Sequence, residues 1–178
     1  ITELFNKLTG SIQETSQEAI NFQKDLSMVN TLSNLSKKDL EKVGNELINM
    51  GTNMGRTPEE MAKGMYAVKS ITDDTVDSMQ VLETATKASV AMTADLSGTV
   101  DTGVGVINAY GMEIENLEHV YDVMFKTTDI GNVTMEQLNQ HLGNVVSSAV
   151  RAKVPFETLM GQLAFMTKNG IETAEATT

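Results

Sequence analysis

The stretch Asp95–Asp122, DLSGTVDTGVGVINAYGMEIENLEHVYD, decides the fold class. Asp95 stands where a helix N-cap belongs, because a short carboxylate there can accept from an unsatisfied backbone N–H. Leu96, Val100, Val104 and Ile107 then recur at helical spacing. The repeat stops at Tyr110, and Gly111 follows where a left-handed C′ residue ends a helix. Asn116 is placed to cap a second helix, with Leu117, Val120, Tyr121, Met124 and Phe125 on its apolar side. The stretch therefore predicts two helices joined by a glycine stop.

The same grammar runs outward in both directions. Leu4, Leu8, Ile12, Thr15, Ala19, Phe22, Leu26 and Val29 step by three or four, which predicts a long amphipathic helix with a narrow seam. Ser36 and Asp39 have capping-box spacing, with Asp in place of Glu, and Leu40, Val43, Leu47, Met50 and Met54 follow on one face. Gly51 and Gly55 weaken the end of that helix. Thr57-Pro58-Glu59-Glu60 is the strongest local signal: Thr caps, Pro loses no hydrogen bond in the first turn, and the acids suit the positive helix end. Met61, Met65, Val68 and Ile71 line the helix it starts. Asp73 or Asp74 is placed to cap another, carrying Val76, Met79, Leu82, Ala85, Ala88 and Met92, whose Ala-rich middle predicts close helix–helix approach.

Beyond the central pair, Thr134-Met135-Glu136 starts a helix with Leu138, Leu142, Val145 and Ala149. Pro155 opens one with Phe156, Leu159, Leu163 and Met166, Gly170 ends it, and Thr173 is placed to start one more. No run shows strand alternation. The chain is expected to be all-α: a compact bundle of seven to nine short helices joined by tight Gly and Pro turns, with a longer amphipathic N-terminal helix. Residues 1–35 form that helix, suited to lead into a coiled coil, and 36–178 form a helical core module. Thr57, Glu59, Met61, Met65, Val68 and Ser70 are echoed by Thr134, Glu136, Leu138, Leu142, Val145 and Ser147. An old duplication of a helical hairpin would give this echo, and so would two helices obeying the same capping and burial rules, which is the simpler account.

Composition narrows the chemistry. The net charge is −11, which opposes nonspecific binding to nucleic acid or anionic membrane. No Lys or Arg lies between Lys87 and Lys126, an interval holding Asp95, Asp101, Glu113, Glu115, Glu118 and Asp122; a solvated acidic face is the simplest account. Cysteine is absent, so the fold stands on packing without disulfides. Twelve methionines against five Phe, three Tyr and no Trp predict an adaptable helical core, with a Met-rich binding groove as the sharper alternative. No run is long and apolar enough for a transmembrane helix. The chain opens on Ile1 and closes on Thr178 in a helical run, and reads as a segment of a longer protein.

Motifs for catalysis are missing. Gly103-Val104-Gly105 lacks the Lys-Ser/Thr of a P-loop and the third glycine of a dinucleotide fold, so close helix packing is expected there. Glu115, Glu118, His119 and Asp122 share one side of a helix, but a di-iron site needs a second Glu-x-x-His, and His141 has no Glu three residues before it. Asp73, Asp74 and Asp77 lack the spacing of a calcium loop. No catalytic, cofactor-binding or metal-ligating residue is assigned, and the chain is not expected to be an enzyme. A metal-dependent helical enzyme built on Glu115, Glu118, His119 and Asp122 and a helical adaptor module from another system are the competing readings.

Taken in order, several stretches resemble the core region of phage tail tape measure proteins related to those of lactococcal siphophages. They are Phe22–Val29, Leu47–Met61 ending in Thr57-Pro58-Glu59-Glu60-Met61, Asp95-Leu96 through Asn108-Ala109-Tyr110-Gly111-Met112, Val133–Leu138, and Asn169-Gly170-Ile171. The resemblance covers Phe22 to Thr178; Met often replaces Ala or Leu, and Pro155 stands where Ser is common. It implies a virion protein of the tail lumen or tip, made in host cytoplasm, that sets tail length and assists genome delivery. Implied partners are the tail tube protein, tail-tip or baseplate hub proteins, tail assembly chaperones and other copies about the tail axis. Host membrane contact on ejection is also implied, and specific nucleic-acid binding and cofactors are not. The family core continues past the position of Thr178.

Overall fold

Helix starts in this chain are fixed by reciprocal side-chain capping. Thr57 Oγ1 accepts from Glu60 N at 3.2 Å while Glu60 Oε2 accepts from Thr57 N at 2.8 Å. Thr134 Oγ1 accepts from Gln137 N at 3.2 Å and Gln137 Oε1 accepts from Thr134 N at 2.9 Å. Each box satisfies two donors that a helix N-terminus leaves open. The computed structural model describes the backbone of residues 2–71 and 75–178 and the side chains of 17–71 and 78–178. The expected caps Asp73 and Asp74, and the side chains of Leu4, Leu8, Ile12, Thr15, Val76 and Asp77, lie outside the described residues. Among the described residues the regular elements are nine α-helices and one 3-10 turn, with no strand, as expected for an all-α chain.

The chain divides into two compact units, Ile1–Thr75 and Val76–Thr178. The first contains α1 (Thr2–Ser33), α2 (Lys37–Met54) and α3 (Pro58–Lys69). The α1 seam predicted from Phe22, Leu26 and Val29 faces the unit's interior, with Val29 fully buried. Phe22 and Leu26 reach the buried Gly44 of α2, where a Cβ would meet Leu26 Cδ2 at 2.9 Å. Asn21 Nδ2 donates to Glu59 Oε2 at 3.2 Å and ties α1 to the start of α3. Gly55 has φ 70° and Arg56 N donates to Gly51 O, so α2 ends in a Schellman turn. Gly51 does more than weaken the helix: a Cβ there would sit 2.7 Å from Arg56 O and 2.8 Å from Met61 Cγ.

The second unit contains nearly all of α4 (Thr75–Ala91), then α5 (Leu96–Tyr110), the 3-10 turn Ile114–Asn116, α6 (Leu117–Ile130), α7 (Met135–Arg151), α8 (Phe156–Lys168) and the short α9 (Thr173–Ala176). Leu96, Val100, Val104 and Ile107 are all buried, as their spacing predicts. Gly111 has φ 63°, Gly111 N donates to Asn108 O and Met112 N to Ile107 O, so the expected stop is a Schellman turn. Helix directions follow from cross-links. Asp95 N donates to Glu136 Oε1 at 2.7 Å and Thr102 Oγ1 to Asn139 Oδ1 at 2.8 Å, so α5 and α7 run parallel. His119 meets Glu157 and Asn132 N donates to Thr167 Oγ1, so α6 and α8 also run parallel. Tyr110 OH donates to Val154 O at 3.1 Å, and its ring meets Phe156 edge-on at 5.8 Å between centroids, pinning the end of α5 to the α7–α8 turn.

Antiparallel α5 and α6 meet in one especially close approach. Tyr121 is buried on α6 and its hydroxyl donates to Thr99 O at 2.9 Å. Its ring lies directly over Gly103, where a Cβ would be 2.6 Å from Cε1 and closer still to the hydroxyl end. Gly105, two residues on, has open space at the Cβ position. The Gly103-Val104-Gly105 pattern is therefore half a packing device, not a phosphate loop.

Local expectations fail in three places. Asn116 does not cap α6: it ends the 3-10 turn, and its Nδ2 donates back to Glu113 O. Thr134-Met135-Glu136 starts α7 as expected, with Gln137 completing the box and Glu136 accepting from the backbone of Asp95, the α5 cap. Phe125, expected on the apolar side of α6, is 48% exposed, and the stripe it should extend ends at Met124. On α7, Val146 is buried where the spacing predicts Val145. Met61, Met65, Met124, Met135 and Met160 are all fully buried, which favours the core reading of the methionines.

Gly103→Ala is expected to destabilise the protein in urea unfolding. Overpacking against Tyr121 costs about 1–3 kcal/mol, against about 1 kcal/mol gained in helix propensity. Gly105→Ala meets no neighbour and should stabilise by about 0.5–1 kcal/mol in the same assay.

Candidate functional site

The residues weighed as metal ligands are dispersed by the structure. Glu115, Glu118, His119 and Asp122 all lie exposed along the 3-10 turn and α6. His119 is committed elsewhere: its Nε2 lies 2.9 Å from Glu157 Oε1 on α8, with both side chains about half exposed. That hydrogen bond holds the Glu157 carboxyl below its usual range. His141 is half-buried on α7 and is not brought to His119's cluster. Among the described residues no three of His, Asp and Glu gather around a common point. Asp73, Asp74 and Asp77, weighed for calcium, lie outside the described residues.

The Tyr121 phenol titrates far above its usual range, because burial penalises the phenolate and Asp101 lies near. It is a fixed hydrogen-bond donor rather than a proton-transfer group. Buried polar side chains such as Thr86, Thr99 and Thr127 return their hydroxyls to backbone carbonyls one turn earlier. These hydroxyls are satisfied by the backbone and offer no nucleophile with a base beside it.

A surface feature does stand out in the second unit. An open trough of about 340 Å³ runs between α4 and α6. One wall is Thr84, Lys87, Ala88, Ala91 and Met92, a stripe along one face of α4 and just past its end. The other is Glu118, Tyr121, Asp122 and Phe125, spaced in the same way on α6. The Ala-rich part of α4 is expected to pack closely on another helix; here Ala88 and Ala91 border open space, with Phe125 exposed on the far rim. Sequence periodicity could not find this trough, because it marks which residues share a face but not whether the face is covered. Among the described residues no helix is long and apolar enough to cross a membrane.

Comparison with known proteins bears on the setting of this surface. A family model described as phage-related minor tail protein matches residues 44–178. The chain is similar to a probable tape measure protein of Clostridium phage phiCD119, at 27% identity over 146 residues, covering 80% of this chain and 16% of that protein. The chain thus spans only a small part of the length of the curated relative it matches. No solved structure matches it.

The His119–Glu157 bridge has a definite pH sense. Because the folded-state pKa of Glu157 lies below its ordinary 4.5, the stabilisation is present above that value and is lost as pH falls through the folded pKa. In His119→Ala the Glu157 carboxyl should return toward 4.5 in an NMR titration. The stability lost should be only about 0.2–1 kcal/mol, since the pair is half exposed and screened by solvent.

Proposed function

The chain belongs to the phage-related minor tail protein family, and we propose that it is a compact module of a tape measure protein, distinct from the extended helical part that sets tail length. Its setting is structural and in the phage tail. The observation that supports the module reading is the reversal of the chain at Gly111 and the return of α7 alongside α5. A ruler must be extended, at 1.5 Å of rise per helical residue, and a chain that folds back adds little length. Residues 1–35 would lead from the rod into the module and 36–178 would carry it.

In this reading the whole protein sets tail length during assembly in the host cytoplasm, occupies the tube lumen and assists genome delivery. The tail tube protein, tip or baseplate hub proteins, assembly chaperones and further copies about the tail axis are its partners, with host membrane contact on ejection. The role is mechanical, without catalysis. An acidic surface suits a lumen that DNA must traverse, since like charge keeps the genome from sticking.

In-frame deletions in the parent gene test this directly by electron microscopy of tails. Deletions in the extended helical part should shorten tails by about 1.5 Å per residue removed. Deleting residues 76–178 should block tail completion or infection without proportional shortening. Infectious tails shorter by the full helical length of the deleted residues would show that the segment is part of the ruler.

A further inference from the structure

We infer that the trough between α4 and α6 is the docking site for a basic amphipathic helix of another polypeptide. Its two walls are stripes of helical spacing, which leave a channel that an incoming helix can follow. Ala88 and Ala91 keep one wall low, as close approach of a third helix requires. Phe125 stands 48% exposed on the other wall, although its spacing places it on the apolar side of its own helix. Tyr121 closes the floor, buried and with its hydroxyl spent on Thr99 O, so no open polar group rises from it. A volume of about 340 Å³ accommodates the anchoring side chains of a helix, not its whole girth.

Charge selects the occupant. Lys87 Nζ meets Glu83 Oε1 at 2.7 Å on its own helix and also feels the Glu118 carboxylate, so one cation stands against Glu118 and Asp122 and the rims are net acidic. The trough also borders the interval from Lys87 to Lys126 that has six acids and no Lys or Arg. A second copy of the chain would bring a further −11 toward this surface. Nucleic acid and anionic lipid are repelled by the same field. A helix with leucine-like anchors on one stripe and Lys or Arg on its flanks satisfies both the apolar channel and its acidic rims.

The test uses the whole chain and two synthetic helical peptides with the same leucine stripe, one bearing lysines and the other glutamates, in fluorescence titrations at physiological salt. The lysine peptide should bind and the glutamate peptide should not. Ala88→Leu combined with Ala91→Leu fills the channel, and Phe125→Ala removes its exposed anchor; each should weaken the lysine peptide at least about tenfold. Circular dichroism melting controls for folding, and Phe125→Ala serves if the filled variant does not fold. Glu118→Gln with Asp122→Asn should weaken binding, whereas Glu172→Gln with Glu175→Gln around α9 removes the same charge and should not. Unchanged affinity in the folded trough variants, or equal weakening by the α9 pair, would overturn the proposal. Self-association of the wild type that the trough variants abolish would make a second copy the occupant and overturn it equally.

Discussion

The Tyr121 ring lying on Gly103 is the contact on which the second unit depends. It brings the α5 and α6 backbones close enough for the buried Tyr121 hydroxyl to reach Thr99 O at 2.9 Å. A buried phenol is stable only with its hydroxyl satisfied, and the aromatic body contributes most of the burial. α5 is held on α7 as well: Asp95 N donates to Glu136, Thr102 to Asn139, and Tyr110 to the α7–α8 turn. Each of these bonds ties α5 to α7 or to the α7–α8 turn, and not to α6, and adds a modest increment to the same unit.

The legible parts of the fold are those governed by neighbours in sequence. Asp95, Thr57 and Thr134 cap helices because the donors they accept from lie within one turn, and Gly111 stops α5 because only the local backbone matters there. The illegible parts depend on what approaches from far along the chain. Gly103 and Gly105 look equivalent in sequence, yet one lies under a tyrosine and the other faces open space. Glu136 sits in the first turn of its own helix, yet its hydrogen-bond partner is 41 residues away. Phe125 has the right period for burial and lacks a covering element. Asn116 fails for a different reason: a 3-10 turn runs directly into α6 and leaves no extended residue to act as N-cap.

Membership of the minor tail protein family sets these features in a tail. A rod needs uniform helix and no reversals, whereas this chain devotes glycines and caps to reversing direction. The candidate surface is likewise invisible in sequence as a surface, although its parts are not: the alanine run of α4, the acidic interval and Phe125 each stand out singly. Their meeting across one trough is a tertiary fact, and it gives a structural protein a place where a partner of defined chemistry can sit.

A double-mutant cycle on Gly103 and Tyr121 tests the central packing claim most directly. Unfolding free energies would be measured for the wild type, Gly103→Ala, Tyr121→Leu and the double variant. If the ring over Gly103 organises the unit, the alanine should cost much less once leucine replaces Tyr121, with a coupling energy of about 1 kcal/mol or more. Additive effects, with the alanine equally costly beside the smaller leucine side chain and beside the native tyrosine, would contradict the account.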